Sequence, residues 1–259
     1  MIAVRGRRAS TVLIALAALL APLAAGCASV RPSVATTAVF GGVTWPVGER
    51  LEYRLRNAAG EELGRGLLTT ERAGERLLLR QQYSGVVSGG TPPRSDVIAL
   101  TVDAKTLAPV QGTRETSGRD DAGNASTQRT AWAYRLDGAR LRLDVNVEGS
   151  GETESSDLGV QPAAYDNESS LWLWRGIPFV EGYEAAYVSV NPHDGSRQTV
   201  SVRAPQQEEI TVPAGTFKTW RVLFRSGRAV RTAWISIAAP HHVVRWDNGS
   251  TIFDLAKVE

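Results

Sequence analysis

One thiol and three imidazoles carry the most reactive chemistry in this chain of 259 residues: Cys27, His193, His241 and His242. A lone cysteine cannot form a disulfide within the chain, nor can it build a multi-cysteine zinc site. His241 and His242 are adjacent, so on a strand they would point to opposite faces, a poor geometry for holding one metal ion. His193 precedes Asp194-Gly195, where turn propensity already accounts for the aspartate. Carboxylates stand close together at Glu152/Glu154, Glu208-Glu209 and Asp166-Asn167-Glu168. A glycosidase would need two acids roughly 5–9 Å apart across a cleft. The first two pairs lie in polar segments and read as solvated faces, while Asp166-Asn167-Glu168 reads as the cap of a helix, with a place at the lip of a pocket as the alternative. No nucleophile elbow, Walker loop, dinucleotide fingerprint or His-Glu-x-x-His is present. The expectation is a non-enzymatic chain with no catalytic residue, no metal and no cofactor.

The aromatic residues say more. Trp132, Trp220, Trp234 and Trp246 fall in alternating runs, and Trp172 and Trp174 flank Leu173. On a helix, residues two apart project about 200° apart, so Trp172 and Trp174 would not share a core; on an extended strand they would share a face. Large flat side chains on strands either fill a barrel interior or line a cavity for acyl chains or another lipophilic ligand. Trp132, Trp172, Trp174, Trp220 and Trp234 are therefore the candidate ligand-binding residues.

The elements that would position them have a period of two. Leu51, Tyr53 and Leu55 alternate with Glu52, Arg54 and Arg56. Leu141, Leu143, Val145 and Val147 alternate with Arg142, Asp144 and Asn146, and Trp220, Val222 and Phe224 with Arg221 and Leu223. Such alternation puts one face on a core and one toward water. Asp137-Gly138, Asp194-Gly195 and Asn248-Gly249 supply hairpin turn chemistry between the runs. The reading is a mainly β fold, an antiparallel meander of about ten or more strands. One interruption spans 166–176, where capping residues start a short helix or lid and Gly176 and Pro178 stop it. Residues 113–128 and 148–161 are polar and read as exposed loops. With 42% apolar and 22% charged residues, the chain can build a core and is not wholly disordered.

The amino terminus reads as an address. Arg5, Arg7 and Arg8 precede an apolar run at 11–25, too short for a membrane span of roughly 20 residues and suited to a secretory signal. The run ends in Leu23-Ala24-Ala25-Gly26-Cys27, which resembles the lipobox of bacterial lipoproteins, although Ala24 stands where leucine is usual. The resemblance implies cleavage before Cys27 and acyl groups on it, each buried CH₂ adding about 0.8 kcal/mol of membrane affinity. Ala28 after the cysteine implies the outer membrane, facing the periplasm, if the bacterium has two membranes. Three of the 29 basic residues lie in the signal; the 26 that remain face 27 acidic ones, a formal charge of −1. A nearly neutral chain has no general attraction to nucleic acid. The domains then read as a signal peptide at 1–26, a lipidated cysteine and flexible tether at 27–44, and a single β-rich domain at 45–259. As a coil, the 15 residues 28–42 would reach roughly 20 Å.

Two phrases of the body are also familiar. Ala99-Leu100-Thr101-Val102-Asp103-Ala104-Lys105-Thr106-Leu107-Ala108-Pro109 and Val212-Pro213-Ala214-Gly215-Thr216-Phe217-Lys218-Thr219-Trp220 resemble the strand-turn signatures of a bacterial envelope family of unknown function. The closing run from Trp234 through Pro240, His242, Gly249 and Phe253-Asp254-Leu255 is also similar. The likeness covers about 47–256. It implies a curved, half-open barrel like that of the Lol lipoprotein carriers, with an apolar concave face, and it implies no catalytic residue. The function expected is binding of a lipophilic ligand or lipidated partner on that face. The alternative is a structural or assembly lipoprotein that holds another envelope protein.

Overall fold

The computed structural model describes residues 35–85, 94–119, 122–137, 140–160 and 164–259. The segment 1–26, read as a signal peptide, and Cys27 lie outside them, as does Gly138 of the Asp137-Gly138 turn. Among the described residues, fifteen strands follow one another along the chain. They are β1 (Arg50–Arg56), β2 (Glu62–Ala73), β3 (Arg76–Gly85), β4 (Arg94–Asp103), β5 (Pro109–Arg119), β6 (Ala125–Asp137), β7 (Arg140–Val147), β8 (Thr153–Val160), β9 (Ala164–Asp166), β10 (Tyr183–Val190), β11 (Arg197–Val212), β12 (Gly215–Ser226), β13 (Ala229–Ser236), β14 (Val243–Asp247) and β15 (Ile252–Val258). A 3-10 turn at Asn167–Ser169 and the helix α1 (Ser170–Arg175) stand between β9 and β10.

All fifteen belong to one sheet, ordered β8-β7-β6-β5-β4-β3-β2-β1-β15-β14-β13-β12-β11-β10-β9. The first and last strands pair at its middle, and hairpins lead outward on both sides. Every ladder is antiparallel except β9 with β10. A parallel pair needs a crossover connection, and the 3-10 turn, α1 and the loop 176–182 provide it.

That crossover lies inside the curve of the sheet. Trp172 Nε1 donates to Thr70 Oγ1 on β2 at 2.8 Å, and Trp174 Nε1 donates to Tyr187 Oη on β10 at 3.2 Å. The strands β2 and β10 are seven steps apart in the sheet, about 34 Å if it were flat. Two residues of one short helix can touch both only if the sheet curls around it. The result is a curved half-open barrel: Arg197 on β11 donates to the Leu158 carbonyl on β8, yet among the described residues no ladder joins β8 to β9. Register shifts, as between Glu52 and Tyr53 or Trp234 and Ile235, bend the strands.

Alternation decides which side chains face inward. Leu51, Tyr53, Leu55, Leu77, Leu79, Leu100, Leu143, Val202 and Val222 are all buried in one continuous core. Gly112 shows how tight it is: a Cβ there would stand 2.4 Å from the Trp132 ring and 2.8 Å from Leu100.

Three sequence expectations are corrected. The segments 113–128 and 148–161, read as loops, supply most of β5, part of β6 and all of β8. Both sides of these strand ends are largely solvated, so the backbone ladder pairs without an apolar pattern to announce it. The tryptophans of α1 do diverge, but both are buried, because the sheet surrounds the helix. Finally, residues 37–44, read as part of the tether, dock on the domain. Thr37 N donates to Ala186 O at 2.8 Å, Gly41 N to Gly176 O at 2.7 Å, and Val39 and Trp45 are buried. Their apolar side chains find the core, and Thr37 bonds β10 beyond the three residues that β9 covers.

Candidate functional site

Between the crossover and the curved sheet lies a cavity of about 380 Å³. The 3-10 turn and α1 border it, with β3, β4 and β5 on one side and β10 to β15 on the other. Its size falls in the range of small-ligand sites. Twelve of its 22 lining residues are polar or charged, so the concave side is more mixed than the apolar face the family likeness implies.

The crossover begins with Asp166, which is buried and caps the 3-10 turn. Its Oδ1 accepts from Glu168 N at 2.8 Å; its Oδ2 accepts from Trp132 Nε1 at 2.9 Å and Tyr134 Oη at 2.8 Å. Burial pushes this carboxyl up to about 7, and the Glu168 carboxylate adds to the rise; the three donors oppose it. A proton added here has a place to go, because the Tyr134 hydroxyl can turn from donor to acceptor.

Glu168 reaches into the cavity beside Arg114, Asp96 and His193. Arg114 binds Asp96 with two nitrogens, Nε to Oδ1 at 2.9 Å and Nη2 to Oδ2 at 2.5 Å. His193 Nε2 lies 3.1 Å from Arg114 Nη1 and 3.2 Å from Glu168 Oε1. One ring nitrogen cannot serve both: it accepts from the guanidinium when bare and donates to the carboxylate when it carries hydrogen. The His193 ring also stands edge-on to Trp132, 5.4 Å between centroids. Gln81 on β3 donates to the Glu168 carbonyl and ties the turn to the wall.

Aromatic rings from α1, β3, β12, β14 and β15 share the lining. Trp174 stacks on Phe224 at 4.2 Å and tilts against Trp246 at 4.5 Å, and Tyr83 meets Phe253 edge-on at 5.8 Å. All five line the cavity.

At the far end of α1, Arg175 is held by Glu49, with Nη1–Oε2 at 2.6 Å and Nη2–Oε1 at 3.0 Å. His242 Nε2 lies 3.1 Å from Glu49 Oε1, and the guanidinium stands over the Trp45 ring at 5.0 Å. Burial alone would raise the Glu49 carboxyl; the hydrogen bonds of His242 and Arg175 outweigh it and hold it below the ordinary glutamate value. This cluster fixes the helix rather than facing the cavity.

Of the tryptophans singled out from the sequence, Trp174 borders the cavity. Trp132 and Trp172 are buried around the crossover, their N–H groups satisfied by Asp166 and Thr70. Trp220 is buried in the register of the inward-facing Ile235. Trp234, one residue out of that register, lies on the outer face, where Glu208 accepts its N–H and Arg245 stands over its ring at 5.9 Å. Sequence reasoning missed Asp96, Arg114 and the inward role of His193, which come from β4, β5 and the β10–β11 turn. It read Asp166-Asn167-Glu168 as a cap, with the lip of a pocket as the alternative: the cap describes Asp166, and Glu168 faces the cavity. His241 and His242 lie in the β13–β14 connection rather than on a strand, with His241 at φ 57°, and still separate: His241 Nδ1 meets Ser236 O while His242 turns to Glu49. Among the described residues no three potential ligands converge on a metal position.

A family model described as "Protein of unknown function (DUF3108)" matches residues 52–254. Among solved structures, the chain is similar to a β-barrel-like protein of a domain of unknown function, DUF1849, from Brucella abortus. The identity is 13% over 82% of this chain and 97% of that one, with a TM-score of 0.52. A second structure, described as "a putative lipoprotein" from Parabacteroides distasonis ATCC 8503, has 11% identity, covers 86% of this chain and 100% of that one, and has a TM-score of 0.32. No curated protein matches the chain.

Proposed function

Starting from the fact that this chain belongs to the DUF3108 family, we propose that it is a non-catalytic envelope lipoprotein that binds a lipophilic ligand, or the lipidated end of a partner, on the concave side of its sheet. One observation carries the reading: a cavity of about 380 Å³ lies between the crossover and the barrel wall, and aromatic rings and hydrogen-bonding groups share its lining. Such a lining suits a molecule with an oily body and a polar head. The charged residues present serve this reading better than a catalytic one. Arg114 is taken up by Asp96, and Asp166 by two wall residues and its own turn.

The amino-terminal residues supply the rest of the proposal. Arg5, Arg7 and Arg8, the apolar run and Cys27 support export and acylation, and Ala28 supports an outer-membrane address facing the periplasm. The folded domain would then work within a short reach of the bilayer.

The test is to isolate the full chain from membranes, extract bound lipids, and identify them by mass spectrometry together with the mature amino terminus. An acylated Cys27 and a stoichiometric amphiphile are expected. A clean protein that, after extraction, leaves its tryptophan fluorescence unchanged with fatty acids, alkylamines and alkyl glycosides would overturn the binding function. An unmodified Cys27 would overturn the anchor.

A further inference from the structure

The charged cluster on the β3–β5 side of the cavity has a sign. Arg114 and Asp96 neutralise one another through their two-point contact. Glu168 is the charge left over. Its Oε1 lies 3.8 Å from Arg114 Nη1 and 3.2 Å from His193 Nε2, and its Oε2 has no hydrogen-bond partner among the described residues. The side chain is only 15% exposed, so solvent screens it weakly. Arg231, the other cation of the lining, is exposed, where water and salt screen it far more.

The wall has a second property that agrees with the first. Trp174, Phe224, Trp246, Tyr83 and Phe253 border the same space. The faces of aromatic rings attract cations through their quadrupole, and the attraction grows where water is excluded. An ammonium group also brings N–H donors to a carboxylate that only accepts. A carboxylate or phosphate head would bring no donor and would stand against Glu168.

Resting on the reading of this cavity as a ligand site, we infer that the molecule it takes carries an ammonium head, held by Glu168 and the aromatic wall, in preference to an anionic one. The volume limits the rest. At about 30 Å³ per water-sized group, 380 Å³ holds roughly a dozen such groups. A head and a short length of chain fill it, and a longer chain extends through the opening. The ammonium can come from a membrane lipid or from a free amine, and the two are separable by experiment.

The full chain is placed in lipid nanodiscs, with empty discs as the blank, and titrated at pH 7.5 with octylammonium, octanoate and ethylammonium while tryptophan fluorescence is followed. Octylammonium is expected to bind at least ten-fold more tightly than octanoate, the scale of one charge-assisted hydrogen bond. In Glu168→Gln, checked for an unchanged melting temperature, the preference falls to within about two-fold. Because the preference is read first in the unaltered protein, the inference does not depend on that variant folding. Weak ethylammonium binding supports an ammonium lipid; binding equal to that of octylammonium supports a free amine. Octanoate binding as tightly as octylammonium overturns the ammonium head and leaves amphiphile binding intact. No response to either octyl compound overturns the ligand site itself, and this inference with it.

Discussion

Arg175 and Glu49 stand 126 residues apart in the chain and meet as a two-point ion pair with almost no water around it, their side chains 2% and 3% exposed. The pair joins the end of the crossover helix to the residue just before β1. Arg175 Nη2 also donates to Pro240 O at 3.2 Å, so the β13–β14 connection is drawn to the same point. Two charges out of water are costly unless paired, so neither can lose its partner cheaply.

Removing one member should therefore cost much more than removing both. Arg175→Met leaves Glu49 buried with only His242 to answer it, and a loss of about 3–5 kcal/mol is expected in urea unfolding. The double replacement Arg175→Met/Glu49→Leu should recover a large part of that loss. If the single variant unfolds within 1 kcal/mol of the parent, the pair does not hold the helix.

Asp166 gives stability a dependence on pH opposite to that of a paired carboxylate. Its folded value, about 7, lies above its ordinary value of 3.8. Between the two the folded state binds the extra proton, so stability falls as pH rises through this window. The contribution is complete below about pH 4 and lost by about pH 8. Glu49, held low, acts the other way and loses its contribution in acid. The comparison that isolates Asp166 is the urea midpoint of the parent and of Asp166→Asn from pH 5 to 8. The parent should show an additional decline toward pH 8; parallel curves would mean that Asp166 is ionised throughout.

Gly112 should not tolerate even one methyl group. Its Cβ would fall inside the contact distances of Trp132 and Leu100, and overpacking of this kind costs about 1–3 kcal/mol. Gly112→Ala is expected to lower the melting temperature and to loosen the Trp132 bond to Asp166. A melting temperature equal to the parent's would show that the Trp132 ring can move aside freely.

Trp132 and Trp234 test which face is which. Trp132→Phe removes a donor from a buried carboxylate, at about 1–3 kcal/mol. Trp234→Phe acts on the outer face and should cost under about 1 kcal/mol. Chemical denaturation of the two variants side by side checks the order; the reverse order would place the inner face wrongly.

The strand pattern was legible because burial on a sheet follows position parity. Leu51, Tyr53 and Leu55 announce one buried face from their spacing alone, and Asp166 announces a cap. The polar ends of β5 and β6 and the whole of β8 announced nothing, since ladder hydrogen bonds use backbone atoms that every residue but proline possesses. His193 read as a turn neighbour, and so it is; that its ring reaches Arg114 on β5 depends on how far the sheet curls.

Local chemistry within a few residues determined most of the strands, most turns and the short helix, because alternation and capping act over that range. What brought Glu168, Arg114 and the Trp174–Phe224 stack around one space was the curling of the open sheet about the crossover. Contacts between strands seven places apart have no signature in spacing, only in the summed bend of the sheet.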